Sequence, residues 1–293
     1  MSVADRVRLL REYVRGDTLI LRRLSRALGD NILLTAVARE IRRARPDLRI
    51  VVETAFPELF LHNPNVAWAV DAHWRVLTGH HFRPAYQLGP GVARRHMVDQ
   101  LFDQSPIPLA GAERRPEIFL SAGERGEFER RYGADAVVVC PAGKQTHAAD
   151  RKEWGVENFQ AVVDALPEWH WIQTGASGPL LRGVDDLRGL PVRDTAGLLS
   201  RARLFLGLEG GLMHLARAVD CPTVVVYGGA VSPAVSGYPE HIVLTREPEC
   251  APCLTAHGPL TPCPHARKCL TGIPVAEVVA ALTSAASRGR VLP

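Results

Sequence analysis

A single carboxylate, Asp30, sits where a basic run turns into an apolar helical pattern in "RRLSRALGDNILLTAV", residues 22–37. Two roles suit it. Asp is a favoured helix cap, and a carboxylate at the C-terminal edge of a first strand is also placed to act as a general base. In "FLGLEGGLMHL", residues 205–215, a strand runs into Glu209, then Gly210 and Gly211, then a helix. Glycines at a helix start let a ligand approach the backbone closely. The first-turn N–H groups and the helix dipole favour an anion such as a phosphate there. With nothing bound, the same residues are a tight strand-to-helix turn. A third stretch, "CPAGKQTHAADRKEWGVENF" at 140–159, holds Lys144, His147, Arg151 and Lys152 before a helix, and two of the chain's three lysines fall in it. A compact ammonium in a cleft suits a diphosphate, whose departing charge it offsets; the plain alternative is a solvated basic loop.

The fourth stretch is "ECAPCLTAHGPLTPCPHARKCL", with Cys250, Cys253, Cys263 and Cys269 spaced C-x2-C-x9-C-x5-C. Four thiolates in so short a loop suit a tetrahedral structural site for zinc or iron; free thiols or an adventitious pair are the other reading. Pro252, Pro262 and Pro264 stiffen the loop, and Arg267 and Lys268 offset thiolate charge. Cys140 and Cys221 lie beside buried-type strands and read as core residues. His62, His80, His81, His96 and His147 show no metal-ligand spacing. Neither GxGxxG nor a Walker A sequence occurs, which argues against a standard dinucleotide or P-loop site.

The elements that position these residues alternate between strand and helix. "DTLILRRL" predicts a strand and "NILLTAVAREIRRA" a helix, with Leu34, Val37, Ala38 and Ile41 on one face and Pro46 ending it. "LRIVVET" and "VAWAVDA" follow as strands, "ARRHMVDQLFDQ" as a helix and "PEIFLS" as a strand; between 73 and 92 the pattern weakens. A second series runs through "AVVVCPAG", "ENFQAVVDAL", "WHWIQTG", "TAGLLSRA", "RLFLGL", "GLMHLARAV" and "PTVVVYGG", and ends in the helix "VAEVVAALTSAASR". Apolar strands alternating with helices imply parallel sheets covered on both faces. Two series on either side of "SAGERGEFERRYG" predict an α/β protein of two Rossmann-like domains, with the cleft between them as the natural ligand site.

Composition bounds the function classes. The 293 residues are 46% hydrophobic, enough for a substantial core, and 35 basic against 31 acidic residues leave a net charge of only +4. No nucleic-acid partner is expected from that balance. No apolar stretch reaches the roughly 18 residues of a membrane span. The start, "MSVADRVRLLREYVRG", lacks the apolar core and cleavage site of a signal peptide. These features predict a cytoplasmic protein. The arginines between Arg39 and Arg45 and at Arg94–Arg95 suit either peripheral contact with the inner face of the cytoplasmic membrane or solvated helix faces.

Taken together, "RRLSRALGDNILLTAVAREIRRARPD", "HMVDQLFDQ", "RKEWGVENFQAVVDAL", "LLSRARLFLGLEGGLMHLARAVDCPTVVVYGG" and "CLTGIPVAEVVAAL" resemble glycosyltransferase family 9, the ADP-heptose heptosyltransferases of lipopolysaccharide core assembly. The resemblance implies a GT-B fold. An N-terminal acceptor domain would span 1–134, and a nucleotide-sugar donor domain 135–274 with the Cys-rich loop at 250–269. A C-terminal helix at 275–293 would often pack back on the first domain. It implies inverting transfer of a sugar, heptose from ADP-heptose, without a catalytic metal. Asp30 then takes the proton from the acceptor hydroxyl. Lys152 contacts the donor phosphates, and Glu209, Gly210, Gly211, Leu212 and His214 hold the diphosphate and sugar.

The chain departs from the family in places. Glu209-Gly210-Gly211 stands where Asp-Ser-Gly or Asp-Thr-Gly is usual, Ala36 replaces a proline, and "GGAVSPAVSGY" replaces Gly-Pro-Thr-Asp-Pro. His147 and Ala148 stand where threonines are often seen before the lysine. The first domain is short around 73–92, so the acceptor stays open among a glycan, a glycolipid, a small molecule and a protein side chain. Two rival classes remain: a non-catalytic or altered GT-B scaffold that binds a nucleotide or sugar, and a GT-B epimerase, which fits the architecture but not the Leu-Gly-Asp and Glu-Gly-Gly placements.

Overall fold

The computed structural model describes residues 3–14, 16–23, 25–71, 81–88, 95–109, 111–143, 151–176, 178–255, 258–259, 263 and 265–288. They fall into two compact units, one of 1–86 with 97–121 and one of 87–96 with 122–293.

In the first unit α1 (Val3–Val14) leads to β1 (Thr18–Arg22), α2 (Leu28–Ala44), β2 (Arg49–Glu53), β3 (Trp68–Val70), β4 (His81–Phe82) and α3 (Met97–Asp103). The strands form one parallel sheet in the order β3-β2-β1-β4. Leu19, Ile20 and Leu21 of β1 and Ile50, Val51 and Val52 of β2 are all buried, which is why these strands read as unbroken apolar runs rather than alternating ones. The face of α2 expected from the periodicity, Leu34, Val37, Ala38 and Ile41, is the buried one, and the helix stops two residues short of Pro46. "PEIFLS" is a correction: Ile118 and Leu120 are buried there, but the segment forms no strand. Pro116 has no N–H to donate, and the Glu117 N–H goes to the Thr35 hydroxyl at 2.9 Å instead of to a neighbouring strand.

The second unit runs α4 (Ala122–Tyr132), β5 (Val137–Val139), α5 (Val156–Ala165), β6 (Trp171–Gln173), β7 (Asp185–Asp186), α6 (Val192–Arg201), β8 (Leu204–Leu208), α7 (Gly211–Ala218), β9 (Thr223–Tyr227), α8 (Pro233–Ser236), β10 (Ile242–Thr245), β11 (Leu254–Thr255), β12 (Gly258–Pro259), α9 (Lys268–Thr271) and α10 (Val275–Ser287). Its six-stranded sheet is parallel, in the order β10-β9-β8-β5-β6-β7; β11 and β12 make a small antiparallel pair.

Two expected boundaries differ. "SAGERGEFERRYG" is not a separator: it contains α4, which belongs to the second unit, so the division falls after Ser121 rather than at 134. Glu124 and Glu129 of α4 pair with Arg193 and Arg201 of α6. Gly197 lets the two helices close up, since a Cβ there would meet the Glu124 carbonyl at 3.1 Å. The terminal helix α10 packs within its own unit, on α5, β8 and β9, with Val278 and Leu282 fully buried.

Candidate functional site

Each sheet reverses its strand order once: between β1 and β4 in the first unit, and between β5 and β8 in the second. In open α/β sheets ligands bind outside the carboxyl ends of the strands at such a switch point. There the two outgoing connections turn to opposite faces and leave a crevice. Both sets of residues singled out from the sequence follow these strands.

In the second unit Lys152 lies in the loop after β5, and Glu209 directly follows β8. The structure brings them together, with Lys152 Nζ 2.5 Å from Glu209 Oε2. Glu209 is 9% exposed; its Oε2 has this ion pair but no regularly angled hydrogen bond. Gly210 then takes φ +147°, which an L side chain rarely adopts, and the space where a Cβ would sit is open. Gly211 and Leu212 begin α7, whose first turn carries no acidic residue. Its leading N–H groups have no partner within the helix, so this turn presents donors and a positive dipole end beside an ammonium. Trp154 anchors the loop that carries Lys152: it is buried, its ring N–H donates to the Ile273 carbonyl at 3.1 Å, and it packs edge-on against Phe159. Lys144, His147 and Ala148 lie outside the described residues, as do His80 and Arg94.

His214, one turn into α7, is buried rather than open to a ligand, and its Nδ1 lies 2.7 Å from the Tyr238 hydroxyl. Burial, reinforced by the nearby His96, His241 and Lys152, holds its pKa down at about 3. His96 packs on the same tyrosine and donates from Nε2 to the Gly237 carbonyl at 3.0 Å. His241 is buried against it too, with its pKa lowered to about 3 by burial and then by Arg217. Its two ring nitrogens have no hydrogen-bond partner among the described residues.

In the first unit Asp30 is not the helix cap. Ala27 occupies the cap position, and Asp30 stands inside the first turn of α2. Its carboxylate accepts two hydroxyls, Ser25 on Oδ2 and Tyr86 on Oδ1. Ser25 Oγ in turn accepts the Ala27 N–H at 2.9 Å. Tyr86 comes from the segment after β4, so the contact spans the switch point. Next to it Asn31, fully buried, donates to the Ala27 carbonyl at 2.7 Å and accepts from Thr54 and the Ala55 N–H at 2.8 and 3.0 Å, tying the connection after β1 to that after β2. Sequence reasoning missed Ser25, Tyr86 and Asn31. Ser25, two residues before the Ala27 cap, carried a usable signal; Tyr86 carried none.

The four loop cysteines line one cavity of about 20 Å³ with Arg151, Arg267 and Gly229. That is room for about one small ion or water. All six cysteines are free. Among the described residues no group of three or more His, Cys, Asp or Glu is arranged as a metal-ligand set. Burial pushes the Cys263 thiol up, but the Arg267 and His265 backbone, and after them the Arg151 guanidinium, outweigh it and lower its pKa. Cys140 and Cys221 are buried as expected, and burial pushes the Cys140 thiol up to about 12. A cavity of about 690 Å³ lined by Asp135, His170, Arg203 and Pro222 lies at the amino ends of the second sheet's strands, the end away from the switch-point residues.

The arginines of α2 are occupied within the first unit. Arg39 pairs with Glu40 and Glu117, Arg43 with Glu40, and Arg45 with Asp47, while Arg42 donates to the Leu48 carbonyl. No helix among the described residues is long and apolar enough to cross a membrane.

Two parallel sheets, each with polar side chains gathered at its switch point, make this a GT-B fold. The chain resembles glycosyltransferase family 9 in both sequence and structure. Residues 190–263 match the family model described as glycosyltransferase family 9 (heptosyltransferase). Lipopolysaccharide heptosyltransferase 1 of Pseudomonas aeruginosa is 27% identical over 201 residues, 63% of this chain, and the match spans about half (54%) of that relative's length. A family 9 glycosyltransferase from Veillonella parvula superposes with a TM-score of 0.71 at 16% identity, covering 93% of this chain and 98% of that one. The iron-containing dodecameric heptosyltransferase TibC of enterotoxigenic E. coli, solved with ADP-D-β-D-heptose, superposes with a TM-score of 0.66 at 15% identity, covering 93% and 76%. At these identities the structural likeness is one of fold.

Proposed function

We propose that the protein is an inverting glycosyltransferase that moves a heptose from ADP-heptose to an acceptor hydroxyl. The observation that carries the reading is the meeting of Lys152 and Glu209-Gly210-Gly211 at the switch point of the second sheet, on a fold shared with an ADP-heptose-bound heptosyltransferase. In this reading the first unit receives the acceptor and the second the donor. Asp30 takes the acceptor proton, and the freed oxygen attacks the anomeric carbon from the face opposite the diphosphate. The bond from that carbon to the diphosphate oxygen breaks, and negative charge grows on the departing ADP. Lys152 and the first-turn N–H groups of Gly211 and Leu212 offset that charge. Glu209 competes with the diphosphate for Lys152 and turns toward the sugar hydroxyls when it is displaced. His214 supports α7 through Tyr238 rather than touching the donor.

The acceptor is a glycan, glycolipid or protein hydroxyl. The reaction is placed in the cytoplasm, where free thiols such as the six here are maintained, with peripheral membrane contact if the acceptor is lipid-linked. The cysteine cavity would hold a structural zinc or iron through Cys250, Cys253, Cys263 and Cys269, with Arg151 and Arg267 offsetting thiolate charge. Such an ion would organise the loop rather than take part in transfer.

Calorimetric titration with ADP, UDP, GDP and NAD tests the reading, with elemental analysis of the same sample. Selective ADP binding that weakens in Lys152→Ala supports it; NAD binding alone overturns it. The second reading, a nucleotide-binding scaffold, is favoured by the Lys152–Glu209 pair, which already neutralises the ammonium. That reading expects ADP binding without ADP release from ADP-heptose against a panel of glycan, glycolipid and protein acceptors.

A further inference from the structure

The turn that leads from β1 into Asp30 is held by one buried amide. Asn31 is fully buried in the first turn of α2. Its Nδ2 donates twice, to the Ser25 carbonyl at 3.2 Å and to the Ala27 carbonyl at 2.7 Å. Its Oδ1 accepts twice, from the Thr54 hydroxyl at 2.8 Å and from the Ala55 N–H at 3.0 Å. Two N–H donors and two lone pairs are all that a side-chain amide has, so every capacity of Asn31 is used. Thr54 is fully buried as well and is tied to the sheet: its N–H donates to the Val70 carbonyl at 2.9 Å, and its hydroxyl accepts the Phe56 N–H at 3.0 Å. A run of hydrogen bonds therefore leads from the end of β3 through Thr54 and Asn31 to the Ser25–Ala27 turn. From that turn the Ser25 hydroxyl, which accepts the Ala27 N–H at 2.9 Å, reaches Asp30 Oδ2.

We propose that Asn31 is a positioning residue for the general base: by fixing both carbonyls of the Ser25–Ala27 turn to the connection after β2, it sets the Ser25 hydroxyl that orients the Asp30 carboxylate. The inference rests on the base role of Asp30 given above. A carboxylate has about four acceptor sites, and Ser25 and Tyr86 take one on each oxygen. Where the remaining sites point depends on the rotation of the carboxylate, and the two hydroxyls fix that rotation. The chemistry of position 31 is specific. An aspartate there has no N–H for the Ser25 and Ala27 carbonyls, and a leucine of similar size has neither donor nor acceptor. A fully satisfied buried network is stiff, and displacing a reacting group by about 1 Å costs about a hundredfold in rate.

The test combines two readouts on the full chain, for the wild type, Asn31→Leu, Asn31→Asp, Thr54→Val, Thr54→Ser, Asp30→Asn and the double variant Asp30→Asn with Asn31→Leu. The first readout is amide hydrogen exchange at Ala27, whose N–H bonds to Ser25 and not to Asn31. The second is kcat and KM for ADP release from ADP-heptose with a panel of glycan, glycolipid and protein acceptors. Circular dichroism melting follows folding. Asn31→Leu and Asn31→Asp are expected to speed exchange at Ala27 by about fivefold or more. They should lower kcat about a hundredfold and leave KM for ADP-heptose unchanged. Thr54→Val should lower kcat about fivefold, the worth of one neutral hydrogen bond, and Thr54→Ser should restore it. In the Asp30→Asn background, Asn31→Leu should still lower the melting temperature yet cost no further rate, a result that a merely structural role would not produce. If the Asn31 variants fail to fold, the Thr54 pair decides: a kcat loss in valine that serine restores supports the proposal, and wild-type kcat in both overturns it. Unchanged exchange at Ala27 or unchanged kcat in a folded Asn31 variant overturns it too. So does a full further loss of rate in the Asp30→Asn background. If Asp30→Asn turns over like the wild type, or the wild type releases no ADP, the base reading itself fails and the positioning role falls with it.

Discussion

The two switch points are built alike and furnished differently. In the first unit the crevice between β1 and β4 gathers a carboxylate and the hydroxyls of Ser25 and Tyr86. In the second, the crevice between β5 and β8 gathers an ammonium, a carboxylate, a glycine at φ +147° and a helix start. One topology therefore delivers two chemistries, because the strand order fixes only which loops meet. A half-exposed Asp30 on hydroxyl partners suits proton transfer. A buried Glu209, a lysine and open space above Gly210 suit an anion whose charge must be matched. The surroundings differ in the same sense: behind α7 lie three buried imidazoles around Tyr238, a packed support rather than a binding surface.

The comparison breaks most sharply at Asp30. Asp30→Asn should lower the rate of ADP release from ADP-heptose by about 10²- to 10⁴-fold, the usual worth of a general base. ADP affinity measured by calorimetry should stay unchanged, because the proposed donor residues lie in the other unit. Lys152→Ala should do the reverse, weakening ADP binding by about ten- to a hundredfold, since a hydrogen bond to a charged group contributes about 1.5–3 kcal/mol.

Acid should separate the units next. His214 and His241 stay neutral in the folded chain down to about pH 3, whereas an unfolded histidine takes up its proton near pH 6.5. The unfolded state therefore binds more protons below that value, and stability falls as the pH drops. Between about pH 6 and 5 the two groups together cost about 2 kcal/mol. Hydrogen exchange should show α7, β9 and β10 losing protection before β1 and β2. The smallest effect is expected at Tyr86→Phe, about tenfold in ADP release with ADP binding intact, because one hydrogen bond to the Asp30 carboxylate is lost while Ser25 remains.

Strands and helices were legible wherever burial is two-sided. The apolar runs of β1, β2, β5, β8 and β9 and the 3.6-residue stripe of α2 were read close to their observed limits. The two-residue strands β4 and β7 were not, because pieces so short carry no period of their own and are set by the neighbour they pair with. Helix α4 was mistaken for a separator because it buries no residue fully and is held by ion pairs to α6. At the site, Glu-Gly-Gly before an apolar helix and a lysine in a strand-end loop were visible as local chemistry. His214, read from the sequence as a donor-site residue, is buried against the Tyr238 hydroxyl, a contact that the local pattern does not reveal.

By itself the sequence determined the longer two-sided strands and the amphipathic helices, the parallel α/β architecture and the residues that carry charge at the strand ends, since these follow from local propensity and the period of burial. Only the tertiary structure decided their company. Tyr86 reaches Asp30 across 56 residues, Lys152 meets Glu209, and Arg151 enters the cysteine cavity. Such meetings depend on strand order and on where one glycine lets two backbones touch, and neither is written in any single stretch of the chain.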